Sequence, residues 1–261
     1  MAVPTLEPGT SVEAGGPARE QDQENRAQGS MFLRYEDVAQ NGWPKVLCMP
    51  HGMGIVAFGK GWSRGPVARA LRDQGVVPIL SRLRVQSLAG PVSVIHPIEV
   101  EAGFALGHAL DAGGHVQRVL LNLSAELNAP RARTYDPQPS GAGERILVGK
   151  VFAEHVFTRP FAATPEERRV NALEVDGKPV DLGAVLPFAE APTLLASPAV
   201  ARELDAEFAL DPAPVAFGLG HTDSNQHVNS LAYIPLFEDA ALRRFAEHGL
   251  QTGSLQLREI E

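Results

Sequence analysis

The chain has 261 residues, 44% hydrophobic and 21% charged, with a formal net charge of −8. That length fits one large domain or two small ones, and the composition is ordinary for a globular protein. The charge argues against a general nucleic-acid or anionic-membrane binder, and one cysteine, Cys48, excludes an internal disulfide or a cysteine-rich metal site.

No apolar run approaches the roughly 18–20 residues that span a bilayer. No basic segment followed by an apolar one marks a secretory signal at the N-terminus, so a reducing cytoplasm is the expected setting. Residues 1–30 hold five acids, two arginines and almost no large apolar groups. Such a segment buries too little to offset its ordering entropy and is expected to be disordered, with the folded part starting at Met31.

Phe32–Asp37 reads as a short strand and Gln40-Asn41-Gly42 as a turn. A helix is expected within 44–74, where apolar positions recur at helical spacing. Four segments then alternate with period two: Ile79–Val85, Val92–Val100, Val119–Leu127 and, less regularly, Ile146–Val156. In the third, Val119, Leu121, Leu123, Ala125 and Leu127 oppose Arg118, Asn122, Ser124 and Glu126. This pattern predicts half-buried strands of an antiparallel sheet, and a helix before a run of strands is an α+β order.

Residues 160–215 carry eight prolines and read as an ordered connector, with a short helix near 198–204. Val215–Leu219 reads as a strand. Ser230–His248 reads as a helix, with Leu231, Ile234, Phe237, Ala241 and Phe245 on one face and Gly249 as its stop. Ser254–Ile260 is the next expected strand.

Between strand and helix lies His221-Thr222-Asp223-Ser224-Asn225-Gln226-His227-Val228-Asn229. Acid, amide and imidazole bunched before a helix are groups that acyl-transfer chemistry uses. His227 can take or relay a proton, because its unperturbed pKa lies near working pH. Asp223 can orient the imidazole or act as base, and Asn225 can hold water or a thioester oxygen. Backbone N–H groups at the helix start offer oxyanion donors. The same residue types also make turns and helix caps, a reading that suits Asn229 in particular.

The run Asp223-Ser224-Asn225-Gln226-His227-Val228-Asn229, followed by Tyr233 and Phe237-Glu238-Asp239-Ala240, resembles the Asp-x-Asn-x-His-Val-Asn motif of hotdog-fold thioesterases, especially the acyl-carrier-protein thioesterases. Tyr35–Trp43 holds the same strand-to-loop place in the first half, keeping an acid and an amide but with Trp43 near the histidine position. The resemblance implies a tandem hotdog, each a curled antiparallel sheet around a central helix. It would comprise an N-terminal hotdog at 31–158, a Pro-rich connector at 159–214 and the start of a second, incomplete hotdog at 215–261. It further implies Asp223, Asn225 and His227 as catalytic residues and Asn229 and Tyr233 as substrate-binding ones. Glu238, a helix carboxylate, is a minor contender. The resembled enzymes also use a Glu beyond the matching strand, and Glu259 and Glu261 fall before that position.

The activity so implied is hydrolysis of a fatty or related acyl thioester on a pantetheine carrier, acyl-carrier protein or CoA, with no cofactor and no metal. A homo-oligomer, or a partner chain completing the second hotdog, goes with it. Two alternatives stay open: a non-catalytic acyl-binding or assembly subunit, and a hotdog hydroxyacyl-thioester dehydratase. Net charge does not favour docking to an acidic carrier, although Arg64, Arg69 and Arg72 form a local basic cluster. Cys48 beside His51 reads as a small buried hydrophobe rather than a nucleophile. Gly52-Met53-Gly54 lacks the flanks of a phosphate loop. His96, on an apolar strand face, and His108 read as core or rim residues, while Glu154 and His155 should point to opposite faces of a strand.

Overall fold

A computed structural model describes residues 25–188, 210–223, 227–253 and 255–261, without the side chain of Lys60. Its centre is a seven-stranded sheet in the order β1-β3-β4-β5-β2-β9, with β8 also on β3. The strands are β1 (Arg26–Met31), β2 (Val77–Ser87), β3 (Ile98–Leu110), β4 (Val116–Pro130), β5 (Arg145–Thr158), β8 (Ala184–Val185) and β9 (Glu259–Ile260). All pairs are antiparallel except β3 with β8.

One face of this sheet wraps a helix. It begins as α1 (Met49–Met53), runs on as a wider π-helical segment over Gly54–Gly61, and is followed by α2 (Pro66–Asp73). The alternation in β4 turns Val119, Leu121, Leu123, Ala125 and Leu127 toward it, all buried. Helix and sheet approach closely where two glycines meet side chains. A Cβ on Gly52 would lie 2.8 Å from Met31 Sδ, and one on Gly149 2.5 Å from Met49 Sδ. Either addition would force the methionine side chain it meets to move.

Beyond β5 come α3 (Pro165–Arg168), a two-residue hairpin of β6 (Glu174–Val175) and β7 (Lys178–Pro179), then β8. This connector crosses the outer sheet face: Leu186 lies over Gly107, and Phe188 takes the Arg118 guanidinium at 5.1 Å. Further on, α4 (Tyr233–Glu247) ends at Gly249, whose φ of 72° forms the left-handed stop. Pro235 sits in its first turn, where its missing N–H breaks no helical bond.

Several boundaries differ from those expected. The sheet begins at Arg26 rather than Met31, because an edge strand needs only one inward face, here Ala27, Gly29 and Met31. Phe32–Asp37 is no strand: Tyr35–Asp37 closes as a 3₁₀ turn held by Arg34 and Asp37. The Val92–Val100 strand starts only at Ile98, since Pro97 cannot donate to a ladder, and His96 lies exposed in the loop before it. Val215–Leu219 makes no strand among the described residues, and Ser254–Ile260 shrinks to β9. The expected helix near 198–204 lies outside the described residues.

Candidate functional site

The site is built on a backbone device that occurs twice. In the second half, a 3₁₀ turn (Leu219–His221), a Thr222–Val228 bridge and a second 3₁₀ turn (Ser230–Ala232) lead into α4. In the first half, Tyr35–Asp37, a Val38–Pro44 bridge and Val46–Cys48 lead into α1. Tyr35 to Leu219, Val38 to Thr222, Pro44 to Val228, Val46 to Ser230 and Met49 to Tyr233 are each 184 positions apart. The hydrogen bonds repeat as well. Ala39 N–H donates to Trp43 C=O at 2.8 Å as Asp223 N–H donates to His227 C=O at 3.0 Å. Lys45 N–H donates to Asp37 C=O at 2.8 Å as Asn229 N–H donates to His221 C=O at 2.8 Å.

This register brings Asp223 and His227 together as directly paired residues of a small hairpin, Asp223 half-buried and His227 exposed. Asn225 lies outside the described residues. Asn229 is the helix cap: its Oδ1 accepts the Leu231 N–H at 2.8 Å. The expected oxyanion donors at the helix start are largely committed. Beside Leu231 N–H, Ala232 N–H donates to Asn229 C=O, and Tyr233 N–H donates to carbonyls of the preceding turn. Tyr233 opens α4 with its ring 5.6 Å from Phe217, and Glu238 sits half-buried farther along the helix.

Sequence reasoning passed over His221 as a site residue. Its Nδ1 accepts the Gly218 N–H at 3.1 Å, so its neutral form carries the proton on Nε2, and its ring meets Phe217 edge-on at 5.3 Å.

The register also corrects the internal comparison. Trp43 occupies the place of His227, but Asp37 matches His221, and Ala39 occupies the place of Asp223. The first loop therefore has neither acid nor imidazole at the two matched positions, and it is closed by the strand end of the second half. Arg258 stacks on the Trp43 ring at 3.4 Å and donates from Nε to Ser87 C=O at 3.1 Å, while Asn41 Nδ2 donates to Gln256 Oε1 at 3.0 Å. Glu259 and Glu261 are engaged at the same seam by Arg84 and Arg82.

The remaining candidates lie outside this hairpin. Cys48 is buried, donates to Lys45 C=O, and its thiol is pushed up to about 12, chiefly by burial and next by Asp37; it is no nucleophile at neutral pH. Glu154 and His155 do face opposite sides of β5. Glu154 accepts from Ser81 Oγ at 3.0 Å, and burial raises its pKa; burial lowers that of His155. Among the described residues no group of three or more His, Cys, Asp or Glu could hold a metal ion. Nor is any described helix long and apolar enough to cross a membrane.

No family model and no curated protein matches the chain. Solved structures do. An acyl-ACP thioesterase from Bacteroides thetaiotaomicron aligns at 14% identity over 85% of this chain and 77% of its own, with a TM-score of 0.50. A putative oleoyl thioesterase from Lactobacillus plantarum aligns at 11% identity over 82% and 70%, with a TM-score of 0.47. The 12:0-ACP thioesterase from Umbellularia californica aligns at 14% identity over 90% and 79%, with a TM-score of 0.44. With its curled antiparallel sheet, central helix and twice-built loop-to-helix unit, the chain has the tandem hotdog fold that it shares with the Bacteroides structure.

Proposed function

We propose that the chain hydrolyses acyl thioesters, releasing a fatty or related acyl group from the pantetheine thiol of acyl-carrier protein or CoA. The observation that carries this reading is the pairing of Asp223 with His227 across a hairpin at a helix start, in a hotdog frame whose other loop has Ala39 and Trp43 instead. His227 takes a proton from water as the water oxygen attacks the thioester carbonyl. Asp223 orients the imidazole, and Asn225 holds the water or the carbonyl oxygen. The tetrahedral intermediate then collapses, the C–S bond breaks, and the proton passes to the leaving thiolate, giving a carboxylic acid and a free thiol. Asn229 and Tyr233 border the substrate, and Glu238 is a reserve carboxylate. The acyl chain occupies the space between sheet and central helix in the N-terminal hotdog, and the reaction needs no cofactor.

In this reading residues 31–158, extended at the front by β1, form the N-terminal hotdog, 159–214 the connector and 215–261 part of a second hotdog. A second copy or a partner chain covers α4, where Tyr233 and Phe237 are 51% and 59% exposed. The proposed setting is the cytoplasm.

Release of free thiol from acyl-CoA and acyl-carrier-protein substrates tests the activity. Thiol release above the uncatalysed rate supports it, and none on any substrate overturns it. The committed N–H groups at the start of α4 favour one second reading, an acyl-binding subunit without turnover. That reading predicts acyl-chain binding with no thiol release.

A further inference from the structure

On β3, β4 and β5 the helix-facing side of the sheet is apolar with two exceptions. Along Ile98–His108, Val119–Leu127 and Gly149–Phe157, the positions turned toward the central helix are aliphatic, aromatic, alanine or glycine, save His108 and His155. His155 is only 8% exposed. Its ring meets Phe58 of the π-helical segment edge-on at 5.7 Å, and its Nδ1 has no hydrogen-bond partner among the described residues. His108 Nδ1, two strands away on the same face, is likewise buried without a partner. An orphaned buried nitrogen is destabilising, so such a group calls for an explanation in a ligand or a bound polar molecule.

The opposing helix is irregular where it meets this histidine. The π-helical widening spans Gly54–Gly61, and such widenings recur at functional sites.

We infer that His155 is a specificity-determining residue that hydrogen-bonds a hydroxyl group on the acyl chain, making hydroxyacyl thioesters the preferred substrate class. This rests on the acyl chain lying between sheet and central helix, as in the reading above. A hydroxyl both donates and accepts, so it satisfies Nδ1 in either imidazole tautomer, whereas a keto oxygen can only accept. An unsubstituted chain leaves the nitrogen unpaired, and sites built around a hydroxyl discriminate against the analogue lacking it. Burial depresses the His155 pKa, against the raising effect of the Leu121 and Ala153 main chain, and so favours the neutral ring.

The test uses non-hydrolysable alkyl-CoA thioethers of one chain length: unsubstituted, hydroxylated near the sulfur, at mid-chain or near the tail, and a keto member for each position. Calorimetry on the full chain should give at least one hydroxylated member binding about tenfold or more tighter than the unsubstituted one. His155→Phe should erase that preference while leaving unsubstituted binding within about twofold. Titration with the preferred member should also shift the His155 imidazole ¹⁵N signals, a readout that stands if His155→Phe fails to fold. Equal affinities across the series, a keto preference, a preference surviving in His155→Phe, or unmoved His155 signals would each overturn the inference. Thiol release from unsubstituted thioesters is measured separately, so loss of the hydroxyl preference and loss of the hydrolase reading are distinguishable.

Discussion

The loops at 35–49 and 219–233 share one backbone and differ in nearly every side chain. Both run from a 3₁₀ turn through a bridged hairpin and a second 3₁₀ turn into a helix, in a constant register. Ala39 and Trp43 in one stand where Asp223 and His227 stand in the other. The first is sealed by Arg258 and Gln256 from the far end of the chain; the second leaves His227 exposed. Main-chain hydrogen bonds define the frame, and the side chains set on it differ between the two loops.

The largest effect that would sharpen this contrast belongs to the acid. Asp223→Ala should lower thiol-release kcat by about 100-fold or more without changing the melting temperature appreciably. A rate within about twofold of wild type would remove Asp223 from the chemistry. The matching test of the first loop concerns stability. Gly42 has a φ of 87°, and a Cβ there would lie 2.5 Å from Pro91 Cβ. Gly42→Ala should therefore cost roughly 2–3 kcal/mol in denaturant unfolding, from backbone strain and overpacking together.

A smaller effect is expected at the seal. Arg258→Ala removes the stack on Trp43 and the bond to Ser87, and should cost about 1–2 kcal/mol while sparing kcat. A large loss of kcat instead would mean that the first loop shares in catalysis. The smallest effect separates the two helix entries. Asn229 caps its turn with a side-chain bond that Lys45, its counterpart, does not make. Asn229→Ala should lose about 1 kcal/mol by thermal unfolding, and Lys45→Ala close to nothing.

Much of the sheet was legible because β4 carries its burial in the chain: Leu121 to Leu127 alternate apolar with polar residues. Legibility failed where one residue outweighed a pattern. Pro97 cut the apolar Val92–Val100 run, and Arg26, Gln28 and Ser30 hid a strand whose other face was inward. The site motif was read from side-chain types, and Asp223 and His227 do lie side by side. The hairpin joining them was not visible, because its bridge pairs Thr222 with Val228, neither a turn residue. The repeat was seen, with Trp43 near the histidine position, but the shared hydrogen bonds set Asp37 in the place of His221 and Ala39 in that of Asp223. His155 carried no signal of its own, since a histidine in an alternating strand reads as core until its unpartnered nitrogen is seen.

The most direct test of the account compares two substitutions at matched positions, His227→Ala and Trp43→Ala, in single-turnover hydrolysis of an acyl thioester at a temperature where both variants are folded. The account predicts a loss of about 10²–10⁴-fold for His227→Ala and a rate within about threefold of wild type for Trp43→Ala. Equal rates for His227→Ala and wild type, or equal losses in the two variants, would contradict it.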